Sequence, residues 1–137
     1  MTTAVDSPIT SDQAFFVGED KLLTFTTYIP GTTLAQIAAD QVSLNVAIRQ
    51  DLTGWTIEWM LRKARYAPSS VLDKTGAAIA ILTQSGATKG QFTVAIARAD
   101  TTALKAGTYY HAAARTNSGA WDVIAEGAAV LRKAAIH

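Results

Sequence analysis

The side chains best suited to chemistry in this chain are His111, His137, Glu58, Asp100 and Asp122. A metal site needs three or four converging ligands, and no H-x-H, HExxH or carboxylate–histidine cluster occurs. His137 is the last residue, and His111 shares a strand face with Tyr109, Ala113 and Arg115, which makes it a core-edge or a surface histidine. There is no cysteine to serve as thiolate nucleophile or ligand. No G-x-S-x-G is present, and no Ser or Thr has an evident His partner. A glycosidase needs only two carboxylates, but Glu58 falls on the outer face of its strand and Asp100 and Asp122 at strand ends. Glu58 is therefore expected to pair across the sheet with a Lys or Arg. The glycine-containing turns match neither GxxxxGK[ST] nor GxGxxG. The expectation is a domain that is not an enzyme, with no catalytic, cofactor-binding or metal-binding residues and no cofactor.

Binding without catalysis needs other residues. Trp55, Trp121, Tyr66 and Tyr110 could form an aromatic platform for the face of a sugar ring, as in a carbohydrate-binding sandwich. Trp55 and Trp59 lie four residues apart on one strand face, which suits a core. Trp121, at a strand start, suits a glycan platform or an anchor in a protein interface, where Trp and Tyr are enriched. The formal charge is +1 from 12 basic and 11 acidic residues, with neither sign clustered. The densest basic group, Arg62, Lys63 and Arg65, reads as a solvated strand end rather than the stripe of a nucleic-acid binder. No apolar stretch reaches the roughly 20 residues that cross a bilayer, and residues 1–12 lack the pattern of a signal peptide. These features predict a protein made in the cytoplasm that meets neither nucleic acid nor membrane, and the lack of cysteine suits that compartment.

The 137 residues, 49% of them hydrophobic, suffice for one domain with a real core, although alanine supplies much of that fraction. Residues 1–12 read as a flexible N-terminal arm and 13–137 as a single domain. Strands are expected at 14–17 and at 21–29, where Leu23, Phe25 and Ile29 face one way and Thr24, Thr26 and Tyr28 the other. An insertion at about 30–41 carries a short helix over 34–40, capped by Thr33, with Leu34, Ile37 and Ala38 packed on the sandwich. Period-two alternation resumes at Val42, Leu44, Val46 and Ile48. Asp51 to Gly54 is a turn before the clearest strand, 55–62, with Trp55, Ile57, Trp59 and Leu61 inward. A loop over 63–76 follows, then strands at 78–83 and 91–98, the latter with Phe92, Val94 and Ile96 inward. Strands 108–115 and 121–132 close the chain as a hairpin turning at Asn117–Gly119, with Gly127 as a bulge. About seven to nine short antiparallel strands with regular turn signals predict an all-β sandwich.

Two features give that sandwich an immunoglobulin-like character. Trp59 occupies the inward face of a central strand, and the segment from Asp100 through Leu104 and Gly107 to Tyr109 resembles the approach to a late immunoglobulin strand. There a corner tyrosine bonds back to upstream backbone two residues before a cysteine; Tyr109 takes that place, and His111 stands at the cysteine position. The same residues also suit a plain hairpin entry. Four segments in order carry a narrower resemblance: Phe16–Lys21, Asp51–Trp59, Asp100–Tyr109 and Gly119–Gly127. Together they resemble small immunoglobulin-like structural domains of tailed-bacteriophage particles, the anchoring modules of baseplate, tail-fibre and decorating proteins. The resemblance spans roughly 14–132 and fits least well at 30–50. It implies a virion protein of tail, baseplate, neck or capsid surface, made in the host bacterial cytoplasm. Its implied partners are other virion proteins and copies of itself; the alternative is a module recognising host-surface glycans.

Overall fold

The computed structural model describes residues 5–6, 15–29, 31–117 and 122–133. Nine strands occur among them: β1 (Val5–Asp6), β2 (Phe15–Phe16), β3 (Lys21–Thr26), β4 (Ile57–Arg62), β5 (Leu72–Lys74), β6 (Ile79–Ile81), β7 (Gln91–Ile96), β8 (Gly107–Arg115) and β9 (Asp122–Arg132). Helix α1 (Leu34–Val42) follows β3, and one helical turn, α2 (Arg98–Thr101), follows β7. One sheet runs β1-β9-β8-β4-β5, with β2 also on β9; the other is β3-β7-β6. Pairing is antiparallel except at β1 and β2, which lie parallel to β9 against Ala125–Glu126 and Leu131–Arg132. Of the expected flexible arm, only Val5 and Asp6 are described.

The two sheets pack into an all-β sandwich because alternation puts large apolar side chains on their facing surfaces. Leu23 and Phe25 of β3 and Phe92, Val94 and Ile96 of β7 meet Ile57, Trp59 and Leu61 of β4 in one buried cluster. Burying each such side chain favours folding by about 1.5–3 kcal/mol. Small residues make room for the indole: Trp59 lies beside Ala113, which lies beside Ala125. Leu52, inside the turn after residue 50, is also fully buried.

Several expectations change. The bulge on β9 is not at Gly127, which pairs in register with His111; the register shifts between Ala113 and Ala114, opposite Ala125 and Val123. The intervening Ile124 is the extra residue and adds its side chain to the core. β3 stops at Thr26, so the alternation slips and Tyr28 is buried while Ile29 is 42% exposed. The 63–76 segment contains β5, which hydrogen-bonds β4. Val42 to Ile48 form no strand: α1 runs to Val42, and a single 3-10 turn occupies Val46–Ile48. Only a bridge between Tyr28 and Arg49 and isolated bonds, such as Ile29 N–H to Ile48 O at 2.9 Å, tie this stretch to the chain after β3. Period two without a continuous ladder does not make a strand.

Candidate functional site

The insertion departs furthest from its expected packing. Thr33 caps α1 as read from sequence: its hydroxyl accepts from Gln36 N–H (3.1 Å), and Gln36 Oε1 accepts from Thr33 N–H (2.8 Å). The orientation is reversed, however. Leu34 is 83% exposed, Ala38 is exposed and Ile37 only half-buried, whereas the one fully buried residue of α1 is Asp40.

A polar clamp explains the reversal. Asp40 Oδ2 accepts from Tyr28 Oη (2.9 Å) and Arg49 Nε (3.0 Å) and pairs with Arg49 Nη2 at 2.9 Å. Its Oδ1 accepts from Asn45 N–H (2.7 Å), and Gln41 Nε2 donates to Tyr28 Oη (3.1 Å). The second nitrogen of the Arg49 fork, Nη1, donates to the carbonyls of Ala87 (2.7 Å) and Lys89 (3.3 Å), tying the insertion to the turn before β7. Gly90 closes that turn at φ +78, where an added Cβ would lie 2.8 Å from Thr27 O and 3.1 Å from Arg49 Cβ. Burial opposes ionisation of Asp40. The Asn45 amide, Arg49 and the Tyr28 hydroxyl outweigh it and hold the carboxyl below its ordinary range. Burial, reinforced by the bond to Asp40 and its charge, pushes Tyr28 up to about 12. A buried charge is tolerable only when so fully bonded.

With Asp40 turned in, the insertion shows an uncharged surface. From Leu22 to Ile48 the only charged residue is Asp40, and it is buried. Leu34, Ala35, Ala38, Ala39 and Val42 are all exposed on α1 and, at 100° per residue, cover about 140° of its circumference. Val42 is 91% exposed, and Leu44 (46%) and Ile29 (42%), on either side of α1 in the chain, are exposed as well. Large apolar side chains grouped in this way mark contact surfaces.

The residues singled out for chemistry are not brought together. His111 is fully buried; its Nδ1 accepts from Trp59 Nε1 at 3.2 Å, and its ring stacks on Phe25 across the sandwich with centroids 5.1 Å apart. An indole N–H only donates, so Nδ1 presents a lone pair there. Tyr109 makes the expected corner bond, its hydroxyl donating to Lys105 O at 2.6 Å. Glu58 lies on the outer face opposite Ala114 and, contrary to expectation, makes no ion pair among the described residues. Its cross-strand neighbour is an alanine, which leaves no cation in the directly opposed position. Asp100 accepts from Ala97 N–H (2.7 Å) and pairs with Lys74. Burial opposes its ionisation, but these two partners hold its carboxyl below the ordinary range. Among the described residues no three of His, Cys, Asp or Glu gather as metal ligands, and no helix is long and apolar enough to cross a membrane.

Among the described residues, Trp55 stands apart from Tyr66 and Tyr110. The Arg115 guanidinium sits 4.4 Å from the Trp55 ring centre. Arg65 lies 5.4 Å from Tyr66 and 5.7 Å from Tyr110 and pairs with Glu126 at 2.7 Å. Arg115 faces Ile57 and Tyr110 faces Arg62, five positions apart along β4, or about 17 Å. Trp121 and His137 lie outside the described residues. In the basic group, Arg62 donates to the Met60 sulfur and Arg65 is held by Glu126. Sequence reasoning found the apolar stripe but missed its outward orientation. The available signal was Asp40 itself, a lone charge in a neutral stretch that ends at Arg49. In comparisons with known proteins, no family model and no curated protein matches this chain.

Proposed function

We propose that the chain is a non-enzymatic structural subunit of a tailed-phage particle, an assembly or adaptor domain of tail, baseplate, neck or capsid surface that works through protein–protein contacts. The observation that carries this reading is the uncharged, apolar insertion, held rigidly outward by the buried Asp40–Arg49 pair. A helix turned so that Leu34 and Val42 meet water while an aspartate is buried is built for something that covers it later. The four segments that resemble phage structural domains support the particle assignment. The sandwich supplies a rigid body, with His111 committed to the core and Asp100 to a cap and an ion pair.

The test is incorporation. Leu34→Glu/Val42→Glu should fold with an unchanged melting temperature, because both side chains are solvent-exposed, yet enter assembling particles far less than the wild type. Equal incorporation of both chains would remove the insertion from the contact surface. Sugar binding that quenches tryptophan fluorescence, in a chain that never joins particles, would favour the glycan reading instead.

A further inference from the structure

We infer that the covering surface of α1 is the α1 of a second copy of this chain, packed helix against helix across a two-fold axis. This rests on the assembly reading and names the partner at the same site.

Charge chooses between occupants. About a quarter of residues on an average protein are charged, and this insertion offers no countercharge to any of them, since its only ionised group is sealed against Arg49. A charged partner would leave its own groups desolvated and unpaired. A second copy of the same face brings no charge, so a two-fold contact, in which a patch meets itself, has nothing unpaired to bury. Shape points the same way. Ala35 and Ala38 are exposed between the larger Leu34 and Val42, so small positions on one helix can receive large ones from its twin. The clamp fixes the rotation of α1, so both copies present this face without prior rearrangement.

Nine residues of helix are only about 14 Å long, and such a pair falls short of the roughly 800 Å² per partner of a standard interface. The free protein should therefore self-associate weakly, and the contact gains strength where neighbours hold copies close together. The absence of cysteine supplies the test. Under mild oxidation Ala38→Cys should give a covalent dimer at least about tenfold faster than the exposed control Ala80→Cys, because a disulfide needs Cα atoms about 4.4–6.8 Å apart. Adding Leu34→Glu and Val42→Glu to Ala38→Cys should return the rate to that of the control. Sedimentation near about 1 mM should show reversible dimers for the wild type and, with like charges opposed, association weakened more than about a hundredfold for the double glutamate variant. Equal cross-linking at residues 38 and 80, with a monomer at the highest concentration, would overturn the inference. If the double glutamate variant were then still excluded from particles, the face would belong to a different virion protein and the assembly reading would stand.

Discussion

Arg49→Leu isolates the clamp. The substitution removes both guanidinium contacts to Asp40 and leaves a carboxylate with no side-chain exposure holding only its bonds from Tyr28 and Asn45. Breaking a buried pair in this way costs about 3–5 kcal/mol, which would move a urea midpoint by roughly 2 M for a protein of this size. The effect must depend on pH. The folded Asp40 carboxyl titrates below its ordinary value, so its contribution is complete above the unfolded value of about 3.9 and is lost as the pH falls through the folded one. The gap between wild type and variant should then be full at pH 7 and shrink below about pH 4. At the other end Tyr28, raised to about 12, contributes below its unfolded value of about 10 and loses that contribution as the pH rises through 12. Asp40→Leu/Arg49→Leu should recover much of the loss, because no unpaired charge remains. Urea titrations at about pH 3, 7 and 11, with hydrogen exchange at the Asn45 amide as the local readout, measure all of this. A gap under about 1 kcal/mol at pH 7, or one that ignores pH, would refute the clamp as the device that orients α1.

Three further outcomes follow from named contacts. Trp59→Phe removes the donor to a fully buried His111 Nδ1 and leaves a small void; chemical denaturation should show a loss of about 2–4 kcal/mol. Tyr109→Phe removes only the hydroxyl that donates to Lys105 O; a loss near 1 kcal/mol is expected, with faster hydrogen exchange confined to the 98–107 corner. Gly90→Ala places a Cβ at φ +78, 2.8 Å from Thr27 O; calorimetry should show a loss of about 2 kcal/mol or more, and an unchanged melting temperature would contradict the tight turn.

What could be read from sequence was whatever repetition imposed. β4 and β7 were legible because Ile57, Trp59 and Leu61, and Phe92, Val94 and Ile96, repeat at period two with side chains too large to leave in water. The β8–β9 hairpin followed from its turn residues, and the Tyr109 corner bond from the resemblance of Asp100–Tyr109 to the approach to a late immunoglobulin strand. Short or parallel pairing leaves no such trace: β5 is three residues long, and β1 and β2 join β9 through two residues each. The insertion misled for a different reason. Its apolar spacing correctly gave a helix, but the direction that face points is set by one side-chain pair reaching outside the helix, Asp40 to Arg49, nine residues apart in sequence. Two full charges bonded in a dry site outweigh the preference of Leu34 and Val42 for burial, and amphipathic spacing cannot register that.

Quantitative mass spectrometry of tailed-phage particles purified from cells that express this chain tests the central claim most directly. A particle protein should be present at a fixed copy number per particle that survives gradient purification and drops on substitution of Leu34 and Val42 by glutamate. A chain abundant in the lysate but absent from the particles would contradict it.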